Sequence, residues 1–141
     1  MFENVALAVR IVGHFAEAEV APRVHAALEE VGLQPQRLAF PAELSAGERQ
    51  RAAIARAIVN RPAVILADEP TGALEDRSAE VVLDLLRRIH LEGAALLVVT
   101  TRPEVAGALK GRVLRITDGR LTDAAVPIAG PAVGAPAPPG S

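Results

Sequence analysis

Apolar residues recur at helical spacing at Val20, Val24, Ala27, Leu28 and Val31, and Gly32 follows where a helix C-cap belongs. The pattern predicts a helix over 20–31, with Pro22 in its first turn, where a missing N–H breaks no bond. A second helix is predicted from Ser45 to about Val59, because Ser45 and Glu48 have the spacing of a capping box. The period then changes. Ala63–Ala67 is a short continuous apolar run ending in acidic residues, as in a strand of a parallel sheet covered on both faces. A third helix over 78–91 carries Val82, Leu85, Leu86 and Ile89 on one face. Residues 94–100 read as a second buried strand, and 103–110 as a short helix opened by proline. From Leu114 the alternation through Arg115, Ile116 and Thr117 turns at Asp118-Gly119 towards Leu121, a hairpin pattern. Strand, helix, strand, helix with apolar strands predicts an α/β fold with a parallel sheet covered by helices.

Composition narrows the classes. The 141 residues suit one ordinary domain, and 50% hydrophobic residues suit a core. A formal charge of −2 argues against a general nucleic-acid binder, which needs a basic surface for phosphates. Without cysteine there is no disulfide scaffold, thiolate metal site or cysteine nucleophile. No apolar run reaches the ~20 residues that cross a bilayer. Met1-Phe2-Glu3-Asn4 lacks the basic-then-apolar order of a signal peptide, so a cytoplasmic location is expected. Residues 126–141 are rich in Pro, Ala and Gly without periodicity, which predicts a disordered tail after a folded part of about 1–125. His14, His25 and His90 show no ligand spacing.

Three segments carry candidate chemistry. Leu44-Ser45-Ala46-Gly47-Glu48-Arg49-Gln50-Arg51 opens a helix. Its small residues allow close backbone approach, and the free N–H groups and dipole of a helix N-terminus favour an anion such as phosphate. By itself such a segment is more often an ordinary capped helix start. The second segment, Val64-Ile65-Leu66-Ala67, ends in Asp68-Glu69-Pro70. Two carboxylates at the C-terminal end of a parallel strand lie where α/β folds bind ligands. There Asp68 suits Mg²⁺ through water, and Glu69 suits taking a proton from an attacking water. The plainer reading is a strand end. The third, Thr71-Gly72-Ala73-Leu74-Glu75-Asp76, is a turn into the third helix, with acidic residues suited to a helix N-terminus.

In order and spacing, these segments resemble the ATP-binding-cassette (ABC) ATPases. Leu44–Arg51 looks like the family's signature motif, Ile65–Glu69 like its Walker B strand, and Ala73–Asp76 like its D-loop. Phe2-Glu3-Asn4-Val5-Ala6-Leu7, Phe40-Pro41, Ala57–Val64 and Ala67–Gly72 look most like the FtsE-type cell-division subunit; lipoprotein-releasing and macrolide-exporter ATPases share Ala-Asp-Glu-Pro-Thr-Gly. The resemblance implies a partial P-loop nucleoside-triphosphatase core with parallel strands. It divides the chain into a helical subdomain with the signature (1–60), the C-terminal part of the ATPase core (61–125) and the tail. It also implies a two-fold dimer with two sandwiched ATPs, in which Ser45, Ala46, Gly47 and Glu48 face the ATP of a partner subunit. Asp68 would serve Mg²⁺, Glu69 would be the general base, and Leu74, Glu75 and Asp76 would cross the dimer interface. The partner it implies is an integral membrane subunit, an FtsX-like permease, with the ATPase peripheral on the inner face of the plasma membrane.

The chain departs from that family in two places. No G-x-x-x-x-G-K-[ST] occurs, and Lys110, the only lysine, precedes Gly111-Arg112. The Walker A cradle, its lysine and its Mg²⁺-binding hydroxyl are therefore absent, and so is the glutamine loop. Thr101 stands where the family carries the histidine that contacts the γ-phosphate, and losing one such positioned group costs on the order of 10²–10³ in rate. Arg102 follows it and reads as a solvated surface residue. The expectation is an FtsE-like ATPase subunit, truncated and inactive alone; the ATPase subunit of a lipoprotein-releasing or macrolide-type exporter is the alternative, and a non-catalytic remnant that only binds the membrane partner is the rival of another class.

Overall fold

The computed structural model describes residues 1–124. Its first helix, α1 (Phe2–Val12), is one the periodicity reading passes over. The stripe exists, since Val5, Ala6 and Val9 are buried, but Leu7, Ile11 and Val12 lie exposed on the same helix and blur its contrast. Gly13 ends it in the left-handed region at φ 70°.

The second helix, α2 (Glu17–Glu30), begins earlier than the apolar spacing implies. Glu19 reaches back to accept a hydrogen bond from the Ala16 N–H at 3.0 Å, which starts the helix at Glu17. Pro22 therefore sits in the second turn, not the first, where its missing N–H does leave a carbonyl of the turn before without its helical partner. Gly32 follows α2 at φ 69° and donates its N–H to the Glu29 carbonyl at 2.9 Å. α3 (Ala46–Ile58) packs against both earlier helices, burying Ala52, Ala55 and Ile58 against a core that includes Val5, Val9, Val20, Val24 and Leu28. Asn60 ties the end of α3 back to α1 by donating to the Ala8 carbonyl at 2.9 Å.

β1 (Val64–Asp68) and β2 (Ala95–Val99) pair in parallel, with Val64 opposite Ala95 and Asp68 opposite Val99. Between them runs α4 (Asp76–Leu91), which packs on β2 and buries all four residues of the expected stripe, Val82, Leu85, Leu86 and Ile89. The compact unit Met1–Thr101 thus holds the three-helix cluster and a strand–helix–strand crossover. From Arg102 on, a second unit contains α5 (Pro103–Leu109) and the antiparallel hairpin of β3 (Val113–Thr117) and β4 (Arg120–Ala124). Asp118 and Gly119 both take positive φ, 49° and 73°, as a two-residue turn matched to strand twist demands. Arg102 pairs with Glu104 at 2.8 Å in this unit. The expected tail, 126–141, lies outside the described residues.

One face of the β1–β2 pair carries Ile65, which is buried. The opposite face presents Val64, Leu66, Leu97 and Val99, exposed by 56%, 73%, 56% and 52%. Parallel strands are normally covered on both faces, and a bare apolar sheet invites association with other chains. The purified chain is therefore expected to self-associate as concentration rises, and Leu66→Lys with Leu97→Glu should reduce that association. Light scattering during thermal unfolding checks this; a monodisperse native chain with one sharp, reversible transition would contradict it.

Candidate functional site

The N-terminus of α3 is built by Ser45 and Glu48. Ser45 is the N-cap, and its hydroxyl oxygen accepts the Glu48 N–H at 3.2 Å. The Glu48 carboxylate in turn accepts the Ser45 N–H and hydroxyl, both at 2.8 Å. Those donors, the backbone N–H foremost, hold the Glu48 carboxyl below its ordinary value. Ala46 is exposed and Gly47 buried. A Cβ on Gly47 would meet Ser78 Oγ at 3.0 Å and Ser78 Cβ at 3.1 Å, so the glycine lets α3 lie directly on the start of α4. Smallness here serves a helix–helix contact inside the chain.

The end of β1 supplies the carboxylates. Asp68 is its last residue and is exposed. Glu69 leaves the strand with φ 43°, an uncommon value for a residue with a side chain. Its N–H still bonds the Val99 carbonyl at 2.9 Å, so it remains laced to the end of β2. Thr100 donates its hydroxyl to Glu69 Oε2 at 3.1 Å, and the Thr101 N–H donates to Glu69 Oε1 at 2.5 Å. The sequence points to the side chain of Thr101; in the structure Thr101 meets Glu69 through its backbone. Thr100 was not singled out at all. The available signal was a pair of hydroxyl residues at the end of a strand in line with Asp-Glu.

The following turn is held by Gly72 N–H to the Glu69 carbonyl at 3.1 Å and Leu74 N–H to the Thr71 carbonyl at 3.2 Å. Leu74 is half-buried, Glu75 is the N-cap position of α4, and Asp76 is its first residue. The helix thus starts two residues before the expected Ser78, which places Asp76 at a dipole end that favours acids.

α3, the β1 end and this turn enclose a cleft of about 230 Å³ lined by Ala46, Arg49, Gln50, Glu69, Pro70, Ala73 and Leu74. It brings Ala46, Glu69 and Leu74 together. Ser45, Gly47, Glu48, Asp68, Glu75, Asp76 and Thr101 lie outside its lining. A slightly larger cleft of about 270 Å³, between α2 and the end of α3, involves none of the candidate residues; burial there pushes the Glu30 carboxyl up. Among the described residues no three His, Asp or Glu side chains are grouped to hold a metal. Asp68 is a lone exposed carboxylate at the end of β1, open to water.

Two outcomes follow from the α3 cap. Gly47→Ala must push Ser78 aside and is expected to cost about 1–3 kcal/mol of stability by denaturant titration. The second concerns pH. Glu48 has a folded value below its reference of 4.5, so the folded state binds fewer protons than the unfolded one in that range. Its stabilisation is complete above pH 4.5 and is lost as pH falls through the folded value. The Glu48 amide, which donates to Ser45 Oγ, should therefore lose protection relative to its intrinsic exchange rate below pH 4.5, and Glu48→Gln should remove that dependence.

A family model described as ABC transporter matches residues 1–72, just over half of the 141. The chain is 42% identical over 121 residues to the cell division ATP-binding protein FtsE of Streptococcus pneumoniae, an alignment covering 86% of this chain and 52% of that protein. Against FtsE of Escherichia coli K12 the figures are 41% over 121 residues, 86% and 54%. A solved structure titled as an inward-facing metal-chelate type ABC transporter superposes with a TM-score of 0.79 at 26% identity, over 87% of this chain and 51% of that one. The chain spans about half the length of the curated relatives it matches. With a partial P-loop fold in which the first residue of α3 and Glu69 share one cleft, the chain belongs to the ABC transporter family as an FtsE-type ATPase domain.

Proposed function

We propose that this chain supplies the signature and Walker B part of an ATP-binding subunit that drives a membrane complex, and that it does not turn over ATP alone. The observation that carries this reading is the single cleft joining the α3 N-terminus to Glu69. In this account residues 1–60 act as the helical subdomain and 61–125 as the C-terminal part of the ATPase core. Ser45, Ala46, Gly47 and Glu48 contact ATP held by a second subunit, and Leu74, Glu75 and Asp76 meet that subunit across a two-fold interface. For Ser45 the contact means exchange: its hydroxyl leaves the Glu48 carboxylate to donate to a phosphate oxygen. Glu69 accepts the proton of the attacking water. Asp68 holds Mg²⁺ through water, and the ion, when bound, neutralises phosphate charge. The membrane partner is an FtsX-like permease, which places the chain on the cytoplasmic face of the membrane in a cell-division complex.

Thr101, at the position where the resemblance implies a histidine, favours a second reading: a non-catalytic form that only binds the membrane partner. Two measurements separate the readings. Titration with a fluorescent ATP analogue should show no micromolar binding by the isolated chain, and no Mg²⁺-dependent turnover. Joined to the phosphate-loop half of an FtsE relative, the chain should hydrolyse ATP, and Glu69→Gln should slow it about 10²–10⁴-fold. Turnover indifferent to Glu69→Gln would sink the catalytic reading.

A further inference from the structure

Both oxygens of the Glu69 carboxylate receive a donor from consecutive residues at the end of the neighbouring strand. One donor is main chain, and any residue at 101 other than proline could supply it. The other is a side chain, and at 100 it depends on a hydroxyl. We propose that Thr100 is a positioning residue for Glu69, fixing the carboxylate for the proton transfer assigned to it above; the inference rests on that assignment.

Three features of the structure support this role. The first is backbone geometry. β1 and β2 are in register to their last pair, Asp68 opposite Val99, and the Glu69 N–H continues the ladder to the Val99 carbonyl. The distance from Glu69 to Thr100 is thereby set by the sheet. The second is the left-handed turn at Glu69, φ 43°, which breaks the alternation of the strand exactly one residue past its end, at the residue that carries the carboxylate. Such a conformation persists where surrounding contacts over-determine it. The third is the type of donor. Threonine is β-branched and stiff at χ1, so its hydroxyl is held in one direction more firmly than that of serine. Thr100 is half-buried, which shields the bond from competing water.

The arrangement suits a base. Donors on both oxygens hold the plane of the carboxylate, and a base with a fixed plane presents its lone pairs in fixed directions. It also bears on position 101, where the imidazole of the family is absent. The carboxylate is oriented here by a hydroxyl and an amide, neither of which changes charge between pH 5 and 8, whereas an imidazole does.

The test has two arms. In the chain as it stands, Thr100→Val keeps the shape and removes the hydroxyl. Amide hydrogen exchange at Thr101 should quicken by about tenfold, the weight of one hydrogen bond, while the amides of the β1–β2 ladder keep their rates. Thr100→Ser should preserve the slow exchange. If Thr100→Val also loosens the ladder, Thr100→Ala replaces it as the hydroxyl-free variant under the same comparison. In the protein joined to the phosphate-loop half, Thr100→Val should lower kcat by about tenfold with KM for ATP unchanged, and Thr100→Ser should recover most of it. A residue that only braced the strand would show no recovery by serine that tracks Thr101 exchange. If Glu69→Gln leaves turnover unchanged, the base assignment falls by itself, and the exchange arm alone judges whether Thr100 orients the carboxylate. If Glu69→Gln stops turnover while Thr100→Val matches the native chain in kcat and in Thr101 exchange, Thr100 has no positioning part and the proposal is overturned.

Discussion

The parallel pairing of β1 on β2 is the constraint on which the site depends. It brings two chain segments about thirty residues apart into one register, and their C-terminal ends fall level at Asp68 and Val99. The carboxylates and their donors lie at that line or just past it: Asp68 exposed on it, Glu69 turned back by its left-handed φ, and Thr100 and Thr101 supplying donors. Had the register slipped by one residue, every side chain would have changed faces and the carboxylate would have lost both partners. α4 makes the pairing possible, since it is the crossover that returns the chain in parallel and covers β2 with Val82, Leu85, Leu86 and Ile89.

The same crossover couples the site to α3. Ser78 in the first turn of α4 lies against Gly47 in the first turn of α3, so the two helix starts are fixed together by the lack of a Cβ. A helix N-terminus and a strand C-terminus that both favour phosphate chemistry are brought into one cleft by packing inside a single chain. In an account where these residues act on nucleotide held by another subunit, that rigid joint lets the two elements move as one body.

Much of this was legible in the sequence, and for identifiable reasons. Ser45 and Glu48 gave the start of α3 because a capping box is local chemistry, independent of the rest of the fold. Asp118-Gly119 gave the hairpin for the same reason, and the four-residue stripe of α4 was correct in every member. The misses share a cause too. α1 has exposed apolar residues that hide its period, and the start of α2 is decided by Glu19 bonding to the Ala16 N–H, not by apolar spacing. The contact of Gly47 with Ser78 is out of reach of a motif as well, because Ser78 lies more than thirty residues ahead and only the fold reveals it. The part played by Thr100 depends on strand register and on one backbone angle, neither of which a motif encodes.

The most direct test of the proposed role is association, because a signature segment that serves ATP held by a second subunit must meet that subunit. The measurement is sedimentation of this chain mixed with an FtsE relative whose Walker B glutamate is replaced by glutamine, in ATP, in ADP and without nucleotide. The account predicts a one-to-one complex in ATP alone, weakened by Ser45→Glu, which sets a negative charge at the α3 N-terminus where the phosphate is expected. A complex of equal strength in all three conditions, or none in ATP, would contradict it.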